Sequence, residues 1–254
     1  METAQSYILA GNSPNKPSTR LKYLNQSVFY GSDQKTQKQK EEVEGLLNAY
    51  NKRWKIRNYK INEDKVTAIL HESGGSWVVS VPYTIDHSDG LFRLTASRIA
   101  RFSVMGINHK PLIVAYKTSL PKDHDDQFTP IRETIIPNLK QFNNNRLAAA
   151  RKTVAMEASY YAKEVYYYGD TKLTHDQIVA KIRESRTKNR ARAHRAIAYS
   201  DFIHLNNLDS TGQTFKFKCT TEVTTDEGKK IHTEDITVKY LAGKPYVISI
   251  QKKF

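Results

Sequence analysis

The sequence WVVSVPYTI at residues 77–85 alternates large apolar side chains with smaller or polar ones. Successive side chains of a β-strand point to opposite faces, so this period of two predicts a strand with one buried face. The sequence FKFKCTTEV at residues 215–223 repeats the alternation 138 positions later. We therefore expect two equivalent strands, whose inward-facing residues are Trp77, Val79, Val81, Tyr83 and Ile85 in the first and Phe215, Phe217, Cys219, Thr221 and Val223 in the second.

Further landmarks occur in the same order in both halves of the chain. They share one spacing, apart from a difference of four residues in a single turn, and this indicates a tandem duplication. The matched pairs are Tyr30-Gly31 with Tyr168-Gly169, Asp89-Gly90 with Glu227-Gly228, and KPLIV at residues 110–114 with KPYVI at residues 244–248.

Length and composition agree with two folded domains. The chain has 254 residues, of which 39% are hydrophobic and 10% aromatic, so wholesale disorder is excluded. No apolar run is long enough for a transmembrane helix, and the single Cys219 excludes an internal disulfide and a cysteine-rich zinc site. Residues 119–126 are polar and turn-rich, which predicts domains at 1–120 and 121–254.

Each copy is predicted to begin with helices and to end with strands. In the first copy the predicted helices are 4–10, 18–28 and 37–53, and the strands are 54–61, 65–71, 77–85, 92–104 and 112–117. In the second copy they are a long helix over 131–168 with a break at Pro137, a helix over 174–188, and strands over 192–205, 214–224, 230–240 and 246–252.

Helices followed by antiparallel strands predict an α+β fold in which one helical face packs on one sheet face. This order also resembles the nuclear transport factor 2-like superfamily, and the end of the chain is similar to its SnoaL-like branch. The resemblance implies two tandem cone-shaped domains, each with about three helices packed on a curved, mostly antiparallel sheet. The segments that carry the resemblance are residues 161–169, 174–188, 192–205, 215–223 and 243–250.

The resemblance also implies a pocket between the helices and the concave face of each sheet. The predicted inward faces contain no carboxylate. For an isomerase or dehydratase of this fold, the resemblance implies an Asp or His on the inward face. A filled hydrophobic core is the alternative to a pocket. If a ligand binds, the expected contacts are Trp77, Tyr83, Tyr160, Tyr161, Tyr168, Phe217 and Thr221, the tyrosines of residues 160–168 lying on one helix.

The net charge is +14, and it favours acidic partners. The basic residues concentrate around the third helix of the second copy, where a solvated helix face is the favoured explanation and a binding patch is the alternative. No cofactor or metal is expected, because His194 and His204 share one face of a predicted strand from which Asp201 points away. The candidate patch for an anionic partner consists of Lys181, Arg183, Arg186, Lys188, Arg190, Arg192 and Arg195.

Three functions follow from these features. The favoured one is a non-catalytic binding or assembly module that presents pockets or sheet faces to a protein partner or a small apolar ligand. The first alternative is a SnoaL-like isomerase, cyclase or hydrolase that uses Tyr or His as its proton carrier. The second is a nucleic-acid binder that uses the basic patch. The compartment is expected to be extracytoplasmic if an export or anchor segment precedes these residues, and cytoplasmic otherwise.

Overall fold

The computed structural model describes residues 1–31, 36–72, 74–119, 128–189, 193–206, 213–225 and 228–253. These residues form two compact units, which we call unit 1 (residues 1–119) and unit 2 (residues 128–205 and 213–253). The α+β class is confirmed, since each unit combines helices with a mainly antiparallel sheet. The predicted boundary between residues 120 and 121 lies outside the described residues.

Unit 1 begins with two short helices and ends with three long strands. Its elements are α1 (Glu2–Leu9), α2 (Ser18–Leu21), β1 (Leu24–Tyr30), β2 (Gln37–Gln39), α3 (Lys40–Arg53), β3 (Ile56–Ile61), a 3-10 turn (Glu63–Lys65), β4 (Thr67–Leu70), β5 (Ser76–Ser88), β6 (Phe92–Ile107) and β7 (Lys110–Ser119).

The sheet of unit 1 has the order β2-β1-β7-β6-β5, and both β3 and β4 pair with β5. Strands β1 and β7 are parallel, and the other pairs are antiparallel. Helix α1 packs against β3, β5, β6 and β7. Its buried Tyr7 and Ile8 form the core with Val79, Val81 and Phe102 of the sheet, so the predicted inward face of β5 is buried along most of its length.

Unit 2 repeats this order of elements with a longer first helix and with one long strand where unit 1 has β3, the 3-10 turn and β4. Its elements are α4 (Phe128–Ala149), α5 (Val154–Ala158), β8 (Tyr161–Tyr167), β9 (Lys172–Thr174), α6 (His175–Asn189), β10 (Ala193–Asn206), β11 (Thr214–Thr225), β12 (Gly228–Leu241) and β13 (Lys244–Lys253). Its strands follow the order β10-β11-β12-β13-β8-β9, in which β13 and β8 are parallel and the others antiparallel.

The two units share irregularities as well as elements. Strand β7 has a β-bulge, with one extra residue opposite the Ser103–Val104 step of β6. Strand β13 has the same bulge opposite the Thr237–Val238 step of β12. The parallel pairs correspond too, with Tyr30 beside Tyr116 in unit 1 and Tyr167 beside Ile250 in unit 2. Tyr30 of the first strand in unit 1 therefore corresponds to Tyr167 in unit 2, one residue before the Tyr168 with which the sequence comparison paired it.

Two helix predictions are wrong, and both errors concern the first strand of a unit. The helix predicted over 18–28 ends at Leu21, and residues 24–30 form β1. The helix predicted over 131–168 ends at Ala149, and residues 161–167 form β8. Both segments are rich in Val, Phe and Tyr, which favour strands, and each pairs with the last strand of its unit. Pro137 does not break α4.

Candidate functional site

A buried ion pair joins a helix to the sheet inside unit 2. Arg146 Nη2 on α4 lies 3.0 Å from Glu234 Oε2 on β12, and the two side chains are 5% and 3% exposed. Glu234 shares the inward face of β12 with Ile236 and Val238, so the alternation that buries two apolar residues also buries the carboxylate. The expectation of an interior without a carboxylate is therefore wrong, because β12 supplies one where β11 does not.

The guanidinium of Arg146 is held by polar groups on the helix and the first strand. Its Nε donates to Asn143 Oδ1 at 2.9 Å, and its Nη1 donates to the Tyr161 hydroxyl at 3.2 Å. Asn143 Nδ2 in turn donates to the Tyr199 hydroxyl and to Cys219 Sγ, both at 3.2 Å. A buried charge needs such partners, since an unpaired one costs several kcal/mol.

The carboxylate of Glu234 has partners on both oxygens. Oε2 receives Arg146, and Oε1 receives the Tyr168 hydroxyl and lies 3.3 Å from His232 Nε2. His232 lies two residues before Glu234 on β12, so both side chains point to the same face. We call these side chains the unit 2 polar network, which consists of Asn143, Arg146, Tyr161, Tyr168, His232 and Glu234.

The unit 2 polar network keeps Glu234 ionised. Burial alone would raise the pKa of Glu234, but the charge of Arg146 and the hydrogen bonds from His232 and Tyr168 outweigh it and lower the pKa to about 2. Burial, together with the negative charge of Glu234, raises the pKa of Tyr168 well above its ordinary value. At neutral pH the carboxylate is therefore an acceptor and the Tyr168 hydroxyl a donor.

Arg20, a buried arginine of unit 1, binds carbonyl oxygens at the end of a helix, whereas Arg146 of unit 2 binds a carboxylate. Arg20 Nε and Nη2 donate to the carbonyl oxygens of Tyr7 and Ile8, each at 3.2 Å, at the C-terminal end of α1. The Arg20 guanidinium carbon lies 5.0 Å from the ring centroid of Tyr7 and 4.7 Å from that of Tyr59. Gly11 leaves room for this contact, because a β-carbon there would lie 2.0 Å from Arg20 Nη2.

Tyrosine hydroxyls pair with neighbours in the interior of unit 1. The hydroxyls of Tyr7 and Tyr30 are 2.8 Å apart, and the Tyr83 hydroxyl lies 2.9 Å from Thr118 Oγ1. Burial is the main cause that raises the pKa of Tyr7, Tyr30 and Tyr83. These side chains are thus neutral, and they satisfy one another.

His87 is a buried imidazole that the sequence prediction missed. Its Nδ1 lies 2.8 Å from the Tyr50 hydroxyl, its ring centroid lies 4.7 Å from that of Tyr59, and the side chain is 0% exposed. Within the described chain Nε2 has no hydrogen-bond partner. Burial, reinforced by the charges of Arg20 and Arg57, lowers the pKa of His87 to about 3. Continuing the alternation of β5 one step past residue 85 would have found this residue.

The structure places the predicted ligand contacts in different surroundings. Tyr161 and Tyr168 belong to the unit 2 polar network, on and just after strand β8 and not on a helix. Trp77 is 51% exposed, so the expectation that it points into the interior is wrong. The remaining predicted contacts are buried or half-buried side chains: Tyr83 beside Thr118, Tyr160 against the ring of Phe142, and Phe217 and Thr221 on the inward face of β11.

The predicted basic patch is only partly a free surface. Arg186 forms a 2.7 Å ion pair with Glu157 and donates to the carbonyl oxygens of Ala149, Lys152 and Thr153, so it stabilises the end of α4. Lys181, Arg183 and Arg195 are exposed, Lys181 being paired with Glu184, whereas the side chain of Lys188 and the whole of Arg190 and Arg192 lie outside the described residues.

No group of three or more His, Cys, Asp or Glu side chains in the described ranges is placed to hold a metal ion. None of the helices described has the length and apolar character needed to cross a membrane.

Comparison with known proteins finds likeness to solved structures. No protein-family model matches the sequence, and no curated protein is similar to it. A DUF4783 family protein from Bacteroides ovatus is 13% identical, with a TM-score of 0.32, and the match covers 42% of this chain and 90% of that one.

Two further structures match a similar share of this chain. Aln2 from Streptomyces is 15% identical, with a TM-score of 0.37 over 47% of this chain and 89% of its own. An NTF2-like protein of unknown function from Pseudomonas putida is 8% identical, with a TM-score of 0.38 over 48% and 87%. Each of the three structures matches a little under half of this chain, and the likeness concerns the fold alone. At such identities the matches carry nothing about activity, ligand or partner.

Proposed function

We propose that the protein is a non-catalytic binding module whose unit interiors are packed cores and whose outer faces contact a protein partner. The observation that supports this most directly is Glu234, which has partners on both carboxylate oxygens and a pKa lowered to about 2. General acid–base catalysis works best with a group whose pKa lies near the working pH. Glu234 instead has the properties of a structural ion.

The interior of unit 1 supports the same proposal. His87 has a pKa lowered to about 3, so it is neutral at the pH where a histidine usually exchanges protons. The hydroxyls of Tyr7, Tyr30 and Tyr83 are already bonded within unit 1. The three hydroxyls stabilise a single packing arrangement, which is the role of satisfied polar groups in a core.

Exposed apolar side chains on unit 1 indicate where partners bind. Ile69, Leu70 and Trp77 are 69%, 52% and 51% exposed, and Leu70 pairs directly with Trp77 across β4 and β5. Clustered exposed apolar residues often mark a protein-binding surface.

The alternative of a small-molecule enzyme in unit 2 is supported by one observation. His232 is partly exposed, at 22% of its side chain, and lies 3.3 Å from the buried Glu234. A carboxylate beside a histidine orients the ring for proton transfer in many enzymes. His232 is the proton carrier that such an activity would use.

Native mass spectrometry of the purified protein distinguishes the two functions. For packed interiors we expect the mass of the chain alone, 29.1 kDa. A small molecule retained at one copy per chain, and lost from the variants Glu234→Gln and His232→Gln, would contradict the proposal and favour the enzyme. The variant His175→Gln, at an exposed position of α6, is the matched control.

A further inference from the structure

Strands β3 and β4 lie on the same side of β5, but only β3 has a covered outer edge. The Arg57 carbonyl of β3 accepts a hydrogen bond from Ser13 N at 2.9 Å. The Tyr59 N–H of the same strand donates to Asn12 Oδ1 at 2.5 Å. The loop between α1 and α2 therefore satisfies backbone groups that point away from β5.

The outer edge of β4 has no such cover in the part of the chain that the structure describes. Leu70 pairs with Trp77, and the ladder continues with a bond from His71 N to Ser76 O at 2.9 Å. Hydrogen-bonded and non-hydrogen-bonded pairs alternate in an antiparallel ladder, so the N–H and C=O groups of Ala68 and Leu70 point away from β5. No described residue bonds to them.

The side chains of β4 do not protect this edge. Thr67, Ala68, Ile69 and Leu70 include no charge and no proline, which are the usual devices that prevent edge pairing. Ile69 lies on one face of the strand, and Leu70 lies on the other beside Trp77; all three are at least half exposed. An added strand would thus gain apolar contacts on both faces.

We propose that the β4 edge binds an extended, apolar segment of a partner protein that is flanked by Lys or Arg. This inference rests on the proposed function and names the class of partner. The two chain segments that flank β4 favour a basic partner, because the exposed Glu63 and Asp64 precede the strand and the exposed Glu72 follows it, against Lys65 alone in these segments.

The same charges disfavour a second copy of this chain as the occupant. Antiparallel pairing of two β4 edges brings Glu63 and Asp64 of one copy towards Glu72 of the other, and like charges on facing strands are destabilising. The net charge of +14 adds long-range repulsion between copies. A separate chain avoids the contacts between like charges, because its basic flanks meet the exposed Glu63, Asp64 and Glu72.

The test is fluorescence anisotropy of a labelled peptide, KKVTVTVKK, titrated with the full chain at low ionic strength. Binding is expected with the native protein, and the variant Ala68→Pro is expected to bind about tenfold more weakly, the factor of roughly one lost hydrogen bond. This proline removes an N–H that points away from β5, so the ladder to β5 is kept. The variant Ala68→Val keeps the N–H and is the matched control, with native affinity.

Two peptide controls make the outcome independent of the variants. The peptide EEVTVTVEE is expected to bind about tenfold more weakly than the lysine peptide, and a lysine peptide with N-methylated valines is expected to lose binding. Equal binding of the lysine and glutamate peptides, full binding of the methylated peptide, or no binding of any peptide at about 1 mM would overturn the inference. If the peptides fail while native mass spectrometry shows the chain alone, the edge assignment fails and the proposed function stands.

Discussion

Gly31 in unit 1 and Tyr168 in unit 2 occupy equivalent backbone positions, both with positive φ, 123° for the glycine and 49° for the tyrosine. Each residue follows the first strand of its unit and donates its N–H to the last strand, Gly31 to the Tyr116 carbonyl at 3.2 Å and Tyr168 to the Ile250 carbonyl at 2.8 Å. A β-carbon makes the left-handed conformation costly by roughly 1–2 kcal/mol. The hydroxyl of Tyr168 compensates by donating to the buried Glu234.

Replacing Tyr168 by phenylalanine separates these two effects. The variant Tyr168→Phe keeps the strained backbone and removes a donor from a buried carboxylate, so we expect the free energy of unfolding to fall by about 1.5–3 kcal/mol. Urea denaturation monitored by circular dichroism measures this change. The variant Tyr166→Phe is the matched control, because Tyr166 is as exposed as Tyr168 (39% against 38%) and its hydroxyl bonds to no described group; it is expected to change stability by less than about 0.5 kcal/mol. Equal effects of the two variants would contradict the role of the Tyr168 hydroxyl.

The buried ion pair predicts a non-additive pair of substitutions. The variant Glu234→Ala leaves the Arg146 charge buried and unpaired, and we expect a loss of about 3–5 kcal/mol in the free energy of unfolding. The double variant Arg146→Met, Glu234→Leu removes both charges and restores apolar volume, so its loss should be much smaller. Urea denaturation of both proteins tests this, and a double variant less stable than Glu234→Ala would show that the charges have a role beyond packing.

Acid should destabilise the protein through His87. The pKa of His87 is about 3 in the folded chain and 6.5 ordinarily, so below pH 6.5 the unfolded state binds a proton that the folded state does not. Stability present above pH 6.5 is therefore lost towards pH 3, at up to about 1.4 kcal/mol per pH unit. The lowered pKa of Glu234, about 2 against 4.5, adds a loss only below pH 4.5.

The measurement is the free energy of unfolding at several pH values between 6.5 and 4.5. His194, whose pKa is also lowered by burial, contributes in the same direction. The variant His87→Phe is expected to flatten the profile, whereas His175→Gln, at an exposed position, should leave it unchanged. A profile that keeps its slope in His87→Phe would show that another group takes up the proton.

The sequence predicted most of the fold because the sheet patterns are local. Alternation over residues 77–85 and 215–223 identified β5 and β11, and helical spacing in residues 37–53 identified α3. Strands β1 and β8 were missed because the pairing partner of each is the last strand of its unit, more than 80 residues later in both cases. Their Val, Phe and Tyr agree with a strand, but the pairing that fixes them in the sheet lies outside any local window of sequence.

The candidate site was less predictable, because its side chains meet only after folding. Arg146 and Glu234 are 88 positions apart, and nothing in either local pattern links them. Tyr161 and Tyr168 were selected for the aromatic run that contains them, and their hydroxyls bond to the ion pair. The carboxylate was still detectable in principle, since Glu234 continues the inward alternation of Ile236 and Val238.

Glycine at position 11 is required by the packing of Arg20. A β-carbon at Gly11 would lie 2.0 Å from Arg20 Nη2 and 2.4 Å from its guanidinium carbon, closer than any van der Waals contact allows. In Gly11→Ala the guanidinium must leave the carbonyl oxygens of Tyr7 and Ile8, which leaves a buried charge with fewer partners. We expect the free energy of unfolding to fall by about 2–4 kcal/mol.

A second glycine provides the control for this substitution. Gly45 lies inside α3, and a β-carbon there meets nothing within 4 Å. The variant Gly45→Ala should therefore raise the free energy of unfolding by about 0.5–1 kcal/mol, because alanine loses less backbone entropy than glycine in a helix. Opposite shifts of the urea midpoint in the two variants would agree with a guanidinium seated against Gly11. A gain of stability in both would mean that Arg20 lies elsewhere in solution.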